Sequence, residues 1–168
     1  RSSTITTGSN NSINDSFSVI MGGSENTLTE NFSFIGTGQE NKAQGSASGV
    51  LTGIKNSAIG NFSMIVSGNN NSANGSSSCV LTGENNNANK NFAIVACGKD
   101  NIADGSASGI FSGINNRSLG NFSFIFGGNN NLAKKPYSAI FSGQDNTTSG
   151  LYSSIGGGKD RKSTRLNS

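Results

Sequence analysis

"NFSFIFGGNNNLA", residues Asn121–Ala133, is a run of β-favouring residues followed by two glycines and three asparagines. The stretches "NFSFIGTGQENKAQG" from Asn31 and "NFSMIVSGNNNSANG" from Asn61 have the same frame. The repeat has a period of 15 residues, with ten full blocks in residues 1–150 and an eleventh that begins at Leu151. An uninterrupted repeat of this kind indicates a stack of similar structural units rather than the disordered chain that its Ser- and Asn-rich composition would suggest.

Positions 3, 5, 8 and 11 of the block are nearly invariant, and position 11 is Asn in all ten complete blocks. Position 8 is Gly in every block, position 5 is Ile or Val, and position 3 is Ser except for Ala93. Alternating β-favouring residues over positions 1–7, and more weakly over positions 10–14, predict two short strands per block. Glycines at position 8, and often at position 15, predict the two corners, where a positive φ or close backbone packing is needed. The corner glycines of position 8 include Gly23, Gly38, Gly53, Gly68, Gly83, Gly98, Gly113, Gly128 and Gly143.

A single block cannot bury its apolar side chains, so successive blocks must stack strand on identical strand, about 4.8 Å apart. We therefore predict an all-β fold over residues 1–159, a parallel β-solenoid (β-roll) of about eleven 15-residue coils with two short strands each. Such a stack forms a rod on the order of 50 Å long.

The alternation selects positions 3, 5, 11 and 13 for the interior, which are Ser, Ile or Val, Asn, and mostly Ala. We expect the Asn column to form a ladder in which each side-chain amide bonds to the next coil and to turn backbone. Such bonds satisfy polar groups whose burial otherwise costs roughly 1–3 kcal/mol each. The ladder residues are Asn11, Asn26, Asn41, Asn56, Asn71, Asn86, Asn101, Asn116, Asn131 and Asn146.

Positions 2, 4 and 6 are expected to point outward from the first strand, and many of them carry large apolar side chains. An exposed strip of this length would exceed the few hundred Å² that monomers usually tolerate. We therefore expect it to be buried against other copies of the chain. The predicted oligomer interface includes Phe17, Phe32, Phe34, Phe62, Met64, Phe92, Phe111, Phe122, Phe124, Phe126 and Phe141.

The repeat resembles a known family. The stretch "NSANGSSSCVLTG", Asn71–Gly83, is similar to the head repeats of trimeric autotransporter adhesins, and the similarity covers essentially residues 1–159. The resemblance implies a left-handed β-roll that forms a homotrimer, displayed outside a bacterial cell and anchored to the outer membrane through segments outside this sequence. It further implies a non-enzymatic role in binding a host-surface or extracellular-matrix ligand through the polar outer face. Similar repeats occur in phage and viral tail fibres, so a shaft or receptor-binding segment of a virion fibre is the alternative.

Other classes of function find little support in the sequence. The chain has no His, so catalytic Ser-His-Asp or Cys-His arrangements are absent and we expect no enzyme and no cofactor. A calcium-binding repeat would need Asp after the turn glycines, where this chain has Asn, so no metal site is expected. An ice-binding solenoid stays a minor alternative, because it would need an unbroken Thr ladder whereas position 7 carries Thr37, Thr52 and Thr82 but then Cys97 and Gly127.

The two cysteines lie in adjacent blocks, at positions 4 and 7 of the repeat. Cys79 and Cys97 are predicted to be roughly 11 Å apart by strand geometry, too far for a disulfide.

Residues 160–168, "DRKSTRLNS", resemble a translated sequencing-adapter oligonucleotide, and Arg161 stands where the repeat requires Asn. The net charge of +3 disappears without Arg161, Lys162 and Arg165, which leaves nine basic against nine acidic residues. We therefore expect no nucleic-acid partner, and no direct membrane contact by this part of the protein.

Overall fold

The computed structural model describes residues 2–164. In this range the chain is a parallel β-solenoid without helices. The described residues therefore contain no helix that could cross a membrane. The first sheet contains positions 4 and 5 of each coil: Thr4–Ile5 (β1), Val19–Ile20 (β3), Phe34–Ile35 (β5), Gly49–Val50 (β7), Met64–Ile65 (β9), Cys79–Val80 (β11), Ile94–Val95 (β13), Gly109–Ile110 (β15), Phe124–Ile125 (β17), Ala139–Ile140 (β19) and Ser154–Ile155 (β21). The second sheet contains positions 12 and 13: Ser12–Ile13 (β2), Thr27–Leu28 (β4), Lys42–Ala43 (β6), Ser57–Ala58 (β8), Ser72–Ala73 (β10), Asn87–Ala88 (β12), Ile102–Ala103 (β14), Arg117–Ser118 (β16), Leu132–Ala133 (β18), Thr147–Thr148 (β20) and Lys162–Ser163 (β22).

Every strand pairs in parallel with its counterpart one coil away, without a register shift. In the first sheet Ile125 lies between Ile110 and Ile140. A third row of parallel bridges joins the position-9 residues, from Ser9 to Lys159. Equivalent residues therefore form straight columns along the rod, and the predicted solenoid of eleven two-stranded coils is confirmed.

The interior contains the four columns that the sequence alternation predicts. The Ile and Val side chains of position 5 are fully buried from Ile20 to Ile140 and lie within the same thin core as the small residues of position 13. Ser at position 3 and Asn at position 11 are buried as well. Because each coil encloses only these four side chains, the core is narrow and leaves no space for an aromatic ring.

The predicted strands are too long, and the turns contain an unexpected backbone conformation. Each strand has only two residues, so position 2 lies in a turn and not on the first strand. Residues at positions 2 and 10 have φ between 52° and 62°, in the left-handed region, although none of them is glycine. Their N–H groups point back along the rod: Phe122 donates to the Ser106 carbonyl, whereas Phe124 donates forward to that of Ser138.

The coil geometry continues past residue 159, where the sequence repeat ends. The Asp160 N–H donates to the Gln144 carbonyl, and β22 pairs with β20 in the same register as every earlier coil. The boundary drawn at residue 159 therefore does not coincide with a change in backbone structure. The likeness of residues 160–168 to a translated adapter rests on their sequence, and residues 165–168 lie outside the described residues.

Candidate assembly surfaces

The buried Asn column connects each coil to the next through both ends of the side-chain amide. For all ten residues of the column, Nδ2 donates to the carbonyl of the position-8 glycine in the following coil at 2.7–3.0 Å. The Oδ1 atom accepts the backbone N–H of position 11 in that following coil at 2.9–3.1 Å. Both Nδ2 hydrogens are used within the solenoid and the side chains from Asn26 to Asn146 are buried, so the column is a structural element.

The position-8 glycines are required by both backbone conformation and space. Their φ values are 96–114°, a region that residues with a Cβ rarely adopt. A Cβ on Gly128 would also collide with the Gly143 carbonyl oxygen of the following coil. The position-15 glycines do not have a positive φ, but a Cβ on Gly60 would collide with the backbone at Gly75. Both kinds of corner therefore keep the coils in close contact.

Large apolar side chains concentrate on one part of the surface. Within residues 2–164, 21 large hydrophobic side chains are exposed, and 16 of them belong to positions 2, 4 and 6. They form two groups. The outer face consists of the exposed side chains of positions 4 and 6: Met21, Leu51, Met64, Leu81, Ile94, Phe111, Phe124, Phe126 and Phe141. The turn row consists of those of position 2: Phe17, Phe32, Phe62, Phe92, Phe122, Tyr137 and Tyr152.

On the outer face, bulk alternates between the two positions from one coil to the next. Position 4 is large in Met64 and Ile94 but is Gly in the coil of Leu51 and in that of Phe111. The ring of Phe124 lies across Gly109, where an added Cβ would come within 2.9 Å of its Cδ1 atom. The ring of Phe34 similarly leans towards Gly36 and is only partly exposed. The alternation makes a surface of ridges and gaps with a two-coil period.

Aromatic stacking continues along the rod at one end of the outer face. The rings of Phe111, Phe126 and Phe141 stack in succession, with 5.0 Å between neighbouring ring centroids and interplanar angles of 3–6°. Stacked rings cover one another's faces and present their edges outward. A sugar ring, which packs against an aromatic face, would therefore find little to bind here, whereas apolar side chains of another protein could pack between and over the edges.

The turn row differs from the outer face in its backbone and its exposure. Its side chains extend from left-handed residues in the turn that precedes the first sheet, and Phe62 is the most exposed of them at 67%. Rings stack where neighbouring coils both carry one. Phe17 stacks on Phe32, and Tyr137 stacks between Phe122 and Tyr152. Between these two stacks the aromatic residues occur in alternate coils only.

The remaining surface is mainly polar, although Ile54, Ile59 and Ile114 are exposed on it, and it carries two ion pairs. Position-10 side chains connect neighbouring coils, with Asn70 donating to Asn85 and Asn85 to Asp100. Lys55 and Lys99 each form an ion pair with a glutamate of the preceding coil, at 3.7 and 3.2 Å. A hollow of about 440 Å³ beside Lys55 is lined mainly by polar and charged side chains. Residues 2–164 contain no cluster of three His, Cys, Asp or Glu that could hold a metal.

Both cysteines are free and lie in the first sheet or directly after it. Cys79 lies on β11, and burial raises the pKa of its thiol, which favours the protonated, unreactive form. The Cys97 thiol donates to the Phe111 carbonyl at 3.1 Å. Within residues 2–164 neither cysteine forms a disulfide.

Sequence reasoning missed the turn geometry that distinguishes the two groups of apolar residues. The left-handed backbone at position 10 had a signal, because Asn and Asp are frequent there and adopt this conformation more readily than other residues. At position 2 nothing in the sequence indicated it, since Phe is an unusual residue in that region. A second missed feature is the Asn at position 1 of alternate coils: Asn61 accepts the backbone N–H of Ser46, and Asn91 that of Ser76.

In comparison with known proteins, no family model and no curated protein sequence matches this chain. The resemblance to trimeric adhesin heads therefore rests on the repeat residues quoted above. What it implies for assembly, ligand binding and location is accordingly a proposal, argued below from the surface of the rod.

Proposed function

We propose that this chain is a non-catalytic rod segment of an extracellular trimeric adhesin, in which three parallel copies bury their outer faces against one another. The observation that carries the proposal is the outer face itself, the nine exposed apolar side chains of positions 4 and 6 on one side of the rod. Water disfavours such a surface, and the coil interior is too narrow to take it in. Contact with another protein surface is the remaining way to remove it from water.

The area of the outer face suits a stable interface. Its nine exposed side chains each leave about 80 Å² of apolar surface accessible, which gives on the order of 700 Å² per chain. Specific protein interfaces bury roughly 800 Å² on each partner, and a monomer usually leaves no contiguous apolar patch larger than 300–600 Å². The outer face therefore has the size expected for an interface and is too large for a monomer surface.

The spacing of the outer face favours another copy of the same chain as the partner. Its side chains recur from Met21 to Phe141 in every coil except that of Phe34, which is only partly exposed, so a partner must present apolar groups with the same rise over the same length. A parallel copy of this chain meets that condition in every coil. Rotational symmetry then brings equivalent coils to the same height, so that no coil is left without a counterpart.

The polar side of the rod supports an adhesive role in combination with the resemblance. Its exposed residues at positions 9, 12 and 14 vary from coil to coil, and the hollow beside Lys55 is open and lined by polar and charged side chains. A trimer that buries the outer faces would turn these variable sides towards the surroundings. They would bind a host-surface or extracellular-matrix ligand through many weak contacts along the rod rather than in one deep site.

Sedimentation equilibrium of the recombinant rod tests the assembly. We expect three chains per particle, and we expect a Phe124→Asp/Phe126→Asp variant to dissociate, because two buried charges would face apolar surface. The control is Ile114→Asp, which places one of these charges at a side chain of similar exposure, 48% against 43% for Phe126, but at position 9. This control should remain trimeric. A monomeric parent, or equal behaviour of the two variants, would contradict the proposal.

The same three proteins test the adhesive role on surfaces coated with an extracellular-matrix extract. We expect the parent and the Ile114→Asp variant to be retained above the level on albumin-coated surfaces. The dissociated variant should bind at least tenfold more weakly, because three linked weak contacts become one. Parent protein that binds no better to the matrix than to albumin would remove the adhesive part of the proposal and leave the trimer standing.

A further inference from the structure

The turn row contains a regular aromatic comb, which we define as the four rings of Phe32, Phe62, Phe92 and Phe122 and the three small residues between them. The small residues are Ala47, Ser77 and Ala107, each at position 2 of the intervening coil. Phe62 and Phe92 stack on no ring within residues 2–164, whereas the comb is bordered at either end by continuous stacks. The comb therefore consists of four projecting rings separated by three gaps.

The gaps have the size of one aromatic ring. Where neighbouring coils both carry a ring in the turn row, the ring centroids are 4.9–5.3 Å apart and the rings are nearly parallel. Rings in alternate coils are therefore on the order of 10 Å apart, twice the inter-strand spacing. A ring inserted midway would lie about 5 Å from both neighbours, within the 4.5–7 Å range of aromatic pairs. Each gap thus lacks one ring of an otherwise continuous stack.

The backbone of the comb indicates that its rings serve a contact outside the chain. Phe32, Phe62 and Phe92 have φ values of 58–62°, a conformation in which a bulky side chain is a genuine outlier and costs about 1–3 kcal/mol. Each is also more than 60% exposed, so burial within its own chain offsets little of this cost. An exposed aromatic residue in a strained turn stabilises neither its coil nor the core.

The surroundings of the comb allow close approach of another backbone. From Gly45 to Asn121, positions 15 and 1 beside the comb are Gly, Ser or Asn, with Lys90 as the single exception. The turns are held in shape by the alternating Asn of position 1, as where Asn121 accepts the backbone N–H of Ser106 at 3.0 Å. The turns that carry the rings are thus held by hydrogen bonds, and the residues of positions 15 and 1 beside them are small and, except for Lys90, uncharged.

We propose that the aromatic comb is a side-by-side docking surface for the comb of a second copy of this chain, displaced along the rod by an odd number of coils. One chain carries rings and gaps with the same two-coil period, so the rings of one comb fit the gaps of another at that displacement. Equivalent coils of a symmetric parallel trimer meet at equal height, ring against ring, and cannot interleave in this way. The comb contact therefore joins separate rods and is distinct from the outer-face contact.

The expected contact is weak. Four rings from each copy, each with about 120 Å² exposed, would bury on the order of 1,000 Å² in total, below the 1,200–2,000 Å² of stable complexes. Association of rods through the comb should therefore depend on concentration and occur where many rods stand close together. Its role would be to gather rods laterally rather than to build the rod itself.

The test compares two variants that change apolar surface in opposite directions. In the ring-deleted variant, Phe62→Ala and Phe92→Ala remove two rings. Alanine already occupies this turn position in the native chain at Ala47, so the substitution fits the backbone. In the gap-filled variant, Ala47→Phe, Ser77→Phe and Ala107→Phe complete the stack at positions whose φ values of 52–55° match those of the native rings. Sedimentation velocity over a concentration series measures association beyond the basic particle, and circular dichroism checks the fold.

We expect both variants to raise the dissociation constant of this step at least tenfold. Only interleaving predicts a higher dissociation constant for the gap-filled variant. Non-specific apolar association would instead become stronger with three more exposed rings. Unchanged or stronger association of the gap-filled rod would overturn the proposal, as would a parent that shows no such step at millimolar concentration. If p-cresol bound in the gaps while the rods did not associate, the comb would be a small-molecule site and the proposal would be wrong.

The two proposals fail separately. The Phe124→Asp/Phe126→Asp variant tests only the outer-face contact within the trimer. The ring-deleted and gap-filled variants should leave the number of chains in the basic particle unchanged. If the parent proves monomeric but its lateral step responds to the comb variants as expected, the comb contact stands and the trimer does not. If gap-filling alters the basic particle instead of the lateral step, the comb belongs to that interface and the side-by-side contact is excluded.

Discussion

Two columns of this rod reverse the usual distribution of polar and apolar residues. The position-11 asparagines are buried from Asn26 to Asn146, with exposed fractions of 0–1%, whereas the phenylalanines of position 2 are exposed by up to 67%. The size of the enclosed space explains the reversal. A 15-residue coil encloses four small or medium side chains, and an amide that bonds to the neighbouring coil fits this space whereas an aromatic ring does not.

The comparison shows that the two columns stabilise different levels of organisation. The amide column joins coil to coil within one chain, because each asparagine hydrogen-bonds to the following coil through both Nδ2 and Oδ1, as Asn131 does to Gly143 and Asn146. The exposed rings contribute little within the chain, and their apolar surface is available for contacts between chains. Paired substitutions at a buried and an exposed position of the same coil can separate these two contributions.

The largest difference is expected between Asn131 and Asn129. Asn131→Ala removes the hydrogen bonds from Nδ2 to the Gly143 and Gly127 carbonyls and leaves the buried Asn146 N–H without an acceptor. We therefore expect the free energy of unfolding to fall by about 4 kcal/mol. Asn129 is exposed and lies at position 9, so Asn129→Ala should cost less than about 0.5 kcal/mol. Urea unfolding at one protein concentration measures both, and equal losses would show that the amide column does not hold the coils together.

The second difference is expected between Ile125 and Phe126, which face opposite sides of the first sheet. Ile125 is fully buried, and Ile125→Ala should destabilise the coil by about 3 kcal/mol through lost burial and a cavity. Phe126 stacks with Phe111 and Phe141 but is 43% exposed, so Phe126→Ala should cost about 1 kcal/mol. The comparison is made in dilute protein, where assembly contributes least; a larger loss for Phe126→Ala would contradict the inside–outside assignment.

The smallest difference concerns the buried serines of position 3. The Ser138 hydroxyl donates to the Lys135 carbonyl at 2.7 Å, so Ser138→Ala should cost about 1 kcal/mol. The Ser78 hydroxyl is buried without a partner, and the equivalent residue one coil later is Ala93. Ser78→Ala should therefore leave thermal stability unchanged or raise it slightly. A loss equal to that of Ser138→Ala would mean that the Ser78 hydroxyl has a partner in solution.

Much of the architecture could be predicted because each coil repeats the same constraint. Ile125, Ala133 and Ser123 were expected inside from alternation alone, and all three are buried. The two-residue strands could not be predicted in the same way, since strand length depends on which peptide groups bond to the next coil. The strained turn at Phe122 was also missed, because intrinsic preference disfavours a left-handed phenylalanine and only the hydrogen bond to Ser106 explains it.

The sequence by itself determined the 15-residue coil, the parallel stacking, the columns that face inward and the presence of an outward apolar surface. A strict repeat makes every coil satisfy the same pattern, so local alternation and glycine spacing suffice for these features. Only the tertiary structure decided that the outward residues divide into an outer face and a turn row, and that the aromatic comb has ring-sized gaps. These features depend on the rise between coils and on turn conformations imposed by hydrogen bonds between them, which no single block contains.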